Sequence, residues 1–353
     1  MTYKIGYSFW GFLGNGIVDT PDGGRFHRYD FLKEIVKNGF EIILLQKNRD
    51  LIETGQDFSK NSISFNLSFP KIDILILEYR WPILNRNFGI SKIDQKYTPD
   101  LHRQDDLIDY YCSKDVPIII WDKDLKLNNV HDIKKLKVLE PTFFPKEGRK
   151  QLLFPLHQKH KNIFLENLKS YNSINRMYDL IYMGNQYERD ESFMEFIDNS
   201  SGYNNKKAIV YGNWKYHPFI FEKIANPFQH CEFRGRIGFE EIDSAYKKSL
   251  CTVLIAPELY YNRGLYTQRI FESIINCCIP LCPKKYMLCE KIIIPEFLVK
   301  NSKETADRML QFRNYDNKKI AELINKQYQR LKYFDMNKQV KNLISIIMDL
   351  LHK

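Results

Sequence analysis

Short apolar runs and amphipathic stretches take turns along the first half of the chain. Residues 3–8 read as a strand and a Gly-rich loop follows. From about 26 to 38 the apolar positions Phe31, Leu32, Ile35 and Val36 recur at helical spacing, and Gly39 is placed to stop the helix. Residues 41–46, 73–77 and 116–121 are further strand candidates. They are near-continuous apolar runs, which suits central parallel strands covered by helices on both faces. Strand and helix in alternation predict a doubly wound α/β domain.

Between about 145 and 176 the pattern loosens into basic, Asn-rich sequence, which reads as the crossing between domains. A second series of apolar runs then appears at 180–184, 208–212, 231–235, 251–256 and 279–282, with helical patterns at 239–248 and 268–275. A last helix, about 337–351, has Val340, Leu343, Ile344, Ile347 and Leu350 on one face. The expected organisation is two Rossmann-like domains, 1–165 and 175–335, with the helix of 337–353 packing back on the first. Two such domains in tandem predict a central cleft faced by the carboxyl ends of both sheets, where open α/β sheets bind ligands.

Composition narrows the class. With 44% hydrophobic and 27% charged residues, 16 Gly and 14 Pro, the chain is ordinary globular sequence rather than collagen, coiled coil or disorder. Lys and Arg exceed Asp and Glu by 53 to 43, a net charge of +10 spread along the chain, which favours a polyanionic partner only weakly. The seven cysteines are odd in number and lack the spaced pairs of a metal site, so buried reduced thiols are expected. No signal segment and no long apolar span stands out, giving the expectation of a soluble, cytoplasmic protein.

The chemistry concentrates in YYNRGLYTQRIFE, residues 260–272. Thr267 is a good helix N-cap, Arg269 in the first turn offers a charged fork, and Glu272 shares its face by i,i+3 spacing. A carboxylate there suits the paired hydroxyls of a ribose; an ordinary i,i+3 salt bridge is the bland alternative. This run, with the apolar strand before it and Ile279-Pro-Leu after it, resembles the donor site of GT-B glycosyltransferases, and within them the phage DNA β-glucosyltransferase family. Tyr178-Asp-Leu-Ile-Tyr-Met-Gly184, Arg189-Asp-Glu-Ser-Phe-Met-Glu-Phe196, Val210-Tyr-Gly-Asn213 and Phe233-Arg-Gly235 resemble successive strand ends and a helix start of that donor domain. The similarity is good over about 178–285 and holds in outline before it. It implies a UDP-sugar donor, with Glu272 on the ribose and Arg269 and Arg189 on the diphosphate. It also implies Tyr261 and Thr267 at the phosphate pocket, and Gly184, Asn185 and Gly212 where backbone approaches the nucleotide. Met183 departs from a family glycine, and 185–188 is shorter and lacks a family arginine.

In the first half, Trp121-Asp-Lys-Asp-Leu-Lys126 places Asp122 and Asp124 just past a strand. An inverting transferase needs a carboxylate there to take the acceptor hydroxyl's proton, and the family resemblance implies an Asp at this strand end. Both aspartates stay candidates. As an Asp-x-Asp pair they also match a magnesium or manganese site that assists a diphosphate; surface capping is the third alternative. No tightly bound cofactor is expected. Asp22, Arg25 and His27, after the first strand, and Glu78, Arg80 and Trp81, after the third, are acceptor-binding candidates. Walker, nucleophile-elbow and H-E-x-x-H motifs are absent, and His157 and His160 read as solvated. The reading is a hexosyltransferase acting on a hydroxymethylated base in double-stranded DNA. The alternatives are a glycan, lipid or small-metabolite acceptor, and a non-catalytic nucleic-acid-binding protein. For DNA, the phosphate contacts expected are Arg80, Arg86, Lys123, Lys126, Lys146, Arg149 and Lys150.

Overall fold

The structure, a computed structural model, describes residues 2–16, 22–59, 62–82, 101–128, 135–197, 208–215, 228 and 230–352. The chain divides into two compact units, Met1–Pro155 with Met336–Lys353, and Leu156–Asp335.

The first unit runs β1 (Lys4–Ser8), α1 (Arg28–Lys37), β2 (Glu41–Leu44), α2 (Arg49–Thr54), β3 (Ile63–Phe65), β4 (Ile74–Glu78), α3 (Leu101–Ser113), β5 (Ile118–Trp121), β6 (Leu136–Glu140) and β7 (Lys150–Gln151). These strands form one sheet in the order β3-β2-β1-β4-β5-β6-β7, and every neighbouring pair is parallel. Strands β4 and β5 are buried along their whole length. That is why their sequences are apolar on both faces and why they lie in the middle of the sheet. The strand order reverses between β1 and β4, so loops leave their carboxyl ends in opposite directions and open a crevice suited to ligands.

The second unit repeats the plan with α4 (Lys159–Lys169), β8 (Tyr178–Met183), α5 (Asp190–Ile197), β9 (Ala208–Tyr211), β10 (Cys231–Gly235), α6 (Ile242–Lys247), β11 (Ser249–Val253), α7 (Glu258–Arg263), α8 (Arg269–Ile275), β12 (Ile279–Pro283), α9 (Cys289–Ile292), β13 (Leu298–Val299), α10 (Ser302–Arg313) and α11 (Asn317–Gln329). Its parallel sheet has the order β10-β9-β8-β11-β12-β13, and the reversal falls between β8 and β11. The last helix, α12 (Met336–Leu351), returns to the first unit and packs on α1. It buries Val340, Leu343, Ile346, Ile347 and Leu350, while Ile344, expected on the same face, is half-buried. Polar contacts fix it further: Gln339 accepts the Leu153 N–H at 3.0 Å and Asn342 donates to the Gln151 carbonyl at 2.7 Å.

Three sequence expectations need correction. The segment expected as a loose crossing contains α4, and 156–165 lies in the second unit. The crossing is instead compact: Leu156 pairs with Asp335 and donates to the Phe334 carbonyl at 2.6 Å. His160, expected to be solvated, is buried on α4. Six cysteines are buried as expected, but Cys112 on α3 is exposed.

Candidate functional site

In the second unit, the loops after β8, β9 and β10 are joined by side chains. Asn185 accepts the Asn213 N–H at 2.9 Å, Gln186 accepts the Lys215 N–H at 2.9 Å, and Trp214 Nε1 donates to the Gly184 carbonyl at 2.8 Å. Arg236 Nε adds the third loop through Asn213 Oδ1 at 2.8 Å. Gly184 and Gly212 are required here by geometry. Both have φ in the region that L side chains avoid, +155° and +127°, and a Cβ on Gly212 would lie 2.2 Å from the Gly184 carbonyl oxygen.

Arg269 spans the reversal point of this sheet. Its Nη1 donates to the Met183 carbonyl, at the end of β8, at 3.2 Å and to the Tyr182 hydroxyl at 3.3 Å. Its Nη2 reaches the Ile255 carbonyl, past β11, at 3.5 Å. Nε is buried without a partner. Glu272 sits one turn further along α8 and is only 8% exposed. The two do not form the i,i+3 salt bridge of the bland alternative, and the Glu272 carboxylate accepts no hydrogen bond among the described residues. Burial pushes its carboxyl up to about 7, Arg269 pulls it back, and Asp243 pushes it further up.

Other donor-side expectations land differently. Thr267 is not a side-chain cap: α8 starts at Arg269 and no side chain caps it. Tyr261 is fully buried, and its hydroxyl accepts the Ala256 N–H at 2.8 Å, so it braces the loop after β11. Arg189 folds over its own loop and donates to the carbonyls of Tyr187 at 2.7 Å and Asn185 at 3.2 Å.

In the first unit, the reversal point holds a buried charge cluster centred on Arg28, which is 1% exposed and was missed by sequence reasoning. Arg28 forks onto Asp22 (2.6 and 3.0 Å) and onto Glu78 (2.9 and 2.7 Å). Asp22 also accepts the N–H groups of Gly24 and Phe12, at 3.0 and 3.2 Å. Glu78 also accepts from the Tyr7 hydroxyl and from Lys123 Nζ, each at 2.8 Å. Burial disfavours the ionised Glu78, but Arg28 and Lys123 outweigh it and hold the carboxyl well below its usual range. Every oxygen of both carboxylates is therefore occupied. Arg80 is buried too, donating to Ser8 Oγ at 2.6 Å and the Phe9 carbonyl at 2.7 Å across the same reversal point. His27 lies between Trp121 and Phe154, where burial, and then the Lys123 charge, hold it neutral. Arg25 is buried, its guanidinium over the Phe12 ring.

The two aspartates after β5 separate cleanly. Asp122 is 0% exposed; Oδ1 accepts the Lys126 N–H and Oδ2 the Leu127 N–H, each at 2.9 Å, with Arg149 Nη1 at 3.2 Å. It builds the turn, in which Leu125 adopts φ of 56°. Asp124 is half-buried at the tip of that turn, with Trp81 Nε1 donating to its Oδ2 at 3.3 Å. The Asp-x-Asp pair is thus divided between two tasks. Among the described residues no three His, Cys, Asp or Glu side chains converge to hold a metal ion. Of the phosphate contacts expected, Arg80, Lys123 and Arg149 have side chains engaged in ion pairs or hydrogen bonds, and Arg80 is buried. Lys146 and Lys150 are exposed, Lys126 is half-buried, and Arg86 lies outside the described residues.

Two doubly wound parallel units in this order have the GT-B fold. Neither protein-family profiles nor the curated proteins contain a match to the chain. Solved structures do. The chain is similar over 98% of its length to T4 phage β-glucosyltransferase in complex with UDP and Mn2+, at 15% identity and a TM-score of 0.63, covering 99% of that chain. An α-glucosyltransferase in complex with UDP and a 13-mer DNA matches at 13% identity and a TM-score of 0.58, with 98% of this chain and 100% of that one covered. A glycosyltransferase involved in avilamycin A biosynthesis matches at 9% identity and a TM-score of 0.56, with 99% and 98% covered. Among the described residues no helix is long and apolar enough to cross a membrane.

Proposed function

We propose that the chain is an inverting glycosyltransferase that moves a hexose from a UDP-sugar to an acceptor hydroxyl, that of a hydroxymethylated base in DNA. One observation carries the reading: Glu272 is buried, unpaired and beside an Arg269 that spans the sheet reversal of a GT-B second unit. A ribose presents two adjacent O–H donors, and an ionised carboxylate with empty acceptor positions is what they require. Arg269 adds charge for the diphosphate, and Arg189 contributes from the loop after β8. Gly184, Asn185 and Gly212 keep the backbone low where the nucleotide approaches. Thr267 flanks Arg269, and Tyr261 supports the loop from behind.

Asp124 is the base in this reading, because the Asp122 carboxylate is already occupied. As the acceptor oxygen attacks the anomeric carbon, its proton passes to Asp124. The sugar–phosphate C–O bond breaks, and UDP leaves with the bonding pair. Trp81 holds the Asp124 carboxylate. Asp22, Glu78, Arg80, Arg25 and His27 form the wall behind it rather than contacts to the acceptor. The described residues offer no three-ligand set for a divalent ion, so a metal that assisted the diphosphate would take few ligands from them.

The DNA acceptor is supported by the similarity to the T4 phage β-glucosyltransferase and to the α-glucosyltransferase in complex with DNA, and by the charge of +10. The avilamycin-pathway neighbour favours a second reading, a small-molecule or glycan acceptor, since the same fold serves there. Labelled UDP-glucose offered with duplexes that carry or lack hydroxymethylated bases tests both. Transfer to the modified duplex alone is expected. UDP binding without transfer to any DNA moves the acceptor to the second reading, and DNA binding without UDP binding makes the chain a non-catalytic nucleic-acid binder.

A further inference from the structure

A second basic feature lies in the second unit, away from Arg269 and Glu272 in sequence. The segment 291–296 and the end of α11, with the turn that follows it, line an open groove of about 530 Å³. Four cations face it, Lys291, Lys326, Arg330 and Lys332, against the one carboxylate of Glu296. Arg330 is fixed: its Nη1 donates to the carbonyls of Glu290 and of Ile293, so it ties the two walls together. The three lysines behave differently. None makes an ion pair or hydrogen bond through its ammonium among the described residues, and all three are exposed. Tyr333 is half-buried in the same lining, with Lys332 Nζ 5.9 Å from its ring centre.

Cations in the last turn of a helix also complement its dipole. That accounts for Lys326 and Arg330 but not for Lys291 or Lys332, which come from other elements. Three lysines line one groove, where a single carboxylate, that of Glu296, stands to offset their charge. A chain of phosphates offsets that charge and releases its own counterions. The tyrosine ring beside a lysine adds a face suited to a base or sugar.

We propose that this groove binds the phosphate backbone of a nucleic acid, as an anchor separate from the donor site. The choice of nucleic acid among polyanions rests on the DNA reading of the acceptor. It also replaces contacts that the fold engages elsewhere, because in the first unit Arg80 is buried and Lys123 and Arg149 are held in ion pairs with Glu78, Asp122 and Glu140. The anchor is indifferent to sequence and to base modification, since ammonium groups on phosphates read neither.

The test uses the full chain and an unmodified duplex, with affinity followed across a salt series. Lys291→Gln, Lys326→Gln and Lys332→Gln are combined in one variant. A control variant carries Lys303→Gln, Lys318→Gln and Lys341→Gln, three exposed lysines outside the groove lining, with the same change in net charge. The groove variant is expected to lose about tenfold or more in duplex affinity and to flatten the log–log salt slope by roughly 2 to 3, about 0.9 per phosphate contact. UDP affinity stays unchanged, and the control loses much less. Equal losses in both variants, an unchanged slope in the groove variant, or a wild type that binds no duplex would overturn the anchor. Failure of the transferase reading shows separately: wild type then gives no sugar transfer to hydroxymethylated duplex, whatever the groove variant does to the salt slope.

Discussion

Each unit carries an arginine across the reversal point of its sheet, Arg80 in the first and Arg269 in the second, and around the two the charges are handled in opposite ways. In the first unit Arg28 forks onto Asp22 and Glu78, Lys123 and Tyr7 complete Glu78, and each carboxylate oxygen has its donors. In the second, Glu272 is as deeply buried but accepts nothing, and Arg269 stands a turn away without pairing to it. A buried charge left without a partner is costly, whereas a satisfied cluster holds a local structure in one arrangement. The same kinds of residue therefore stand in different states: the first cluster is satisfied and shapes the loops after β1 and β4, while the second keeps acceptor positions open, as the proposed donor site requires.

The comparison can be broken most severely at Arg28. Arg28→Ala takes the cation from the Asp22 carboxylate and leaves Glu78 with Lys123 and Tyr7 alone, and it is expected to cost about 3–5 kcal/mol. A denaturant melt of the first unit's tryptophans reads this, and a loss under about 1 kcal/mol would show the cluster to be dispensable. Next comes the pair after β5. Asp124→Asn is expected to lower the transfer rate by roughly 100-fold or more with UDP affinity intact. Asp122→Asn lowers stability first, because its oxygens hold the turn.

The fold was legible in the sequence because parallel central strands announce themselves as apolar runs. Elements that lack such runs were missed: β7 is two residues long, and β6 begins with a half-buried Leu-Lys pair. Helix α4 hid in basic, Asn-rich sequence because its buried face consists largely of His160, Phe164 and Asn167. Spacing put Arg269 and Glu272 on one helix face, where an ordinary salt bridge was the simpler expectation; only the family resemblance pointed to a donor site, which stays a proposal. The cluster around Arg28 was not, since its partners lie 6 and 50 residues away and nothing local marks them. Burial likewise separates the environments of Asp122 and Asp124, and no spacing rule could.

Smaller effects sharpen the contrast from the side of Glu272. Its carboxyl is raised to about 7, so in the ligand-free protein it is mostly protonated below that pH and ionised above it. Ribose hydroxyls need the ionised form, so UDP affinity is expected to rise about tenfold from pH 6 to pH 8. Glu272→Gln is expected to remove that dependence. The sign for stability is opposite. A folded-state pKa above the unfolded one means the ionised group disfavours the fold, so stability falls as pH rises from about 4.5 to 7. Glu272→Gln is accordingly expected to raise the ligand-free melting temperature at pH 8 by about 2–4 °C, a gain of about 1 kcal/mol. An unchanged or lower melting temperature would mean that the carboxylate has a partner in solution.

The most direct measurement is calorimetric titration of UDP into the wild type and into Glu272→Ala at pH 8, with the melt of each protein recorded alongside. Binding by the wild type is expected, with at least a tenfold loss in a variant that melts as cooperatively as its parent. No binding by a folded wild type at millimolar UDP, or equal affinity in the two proteins, would contradict a donor site built on Glu272.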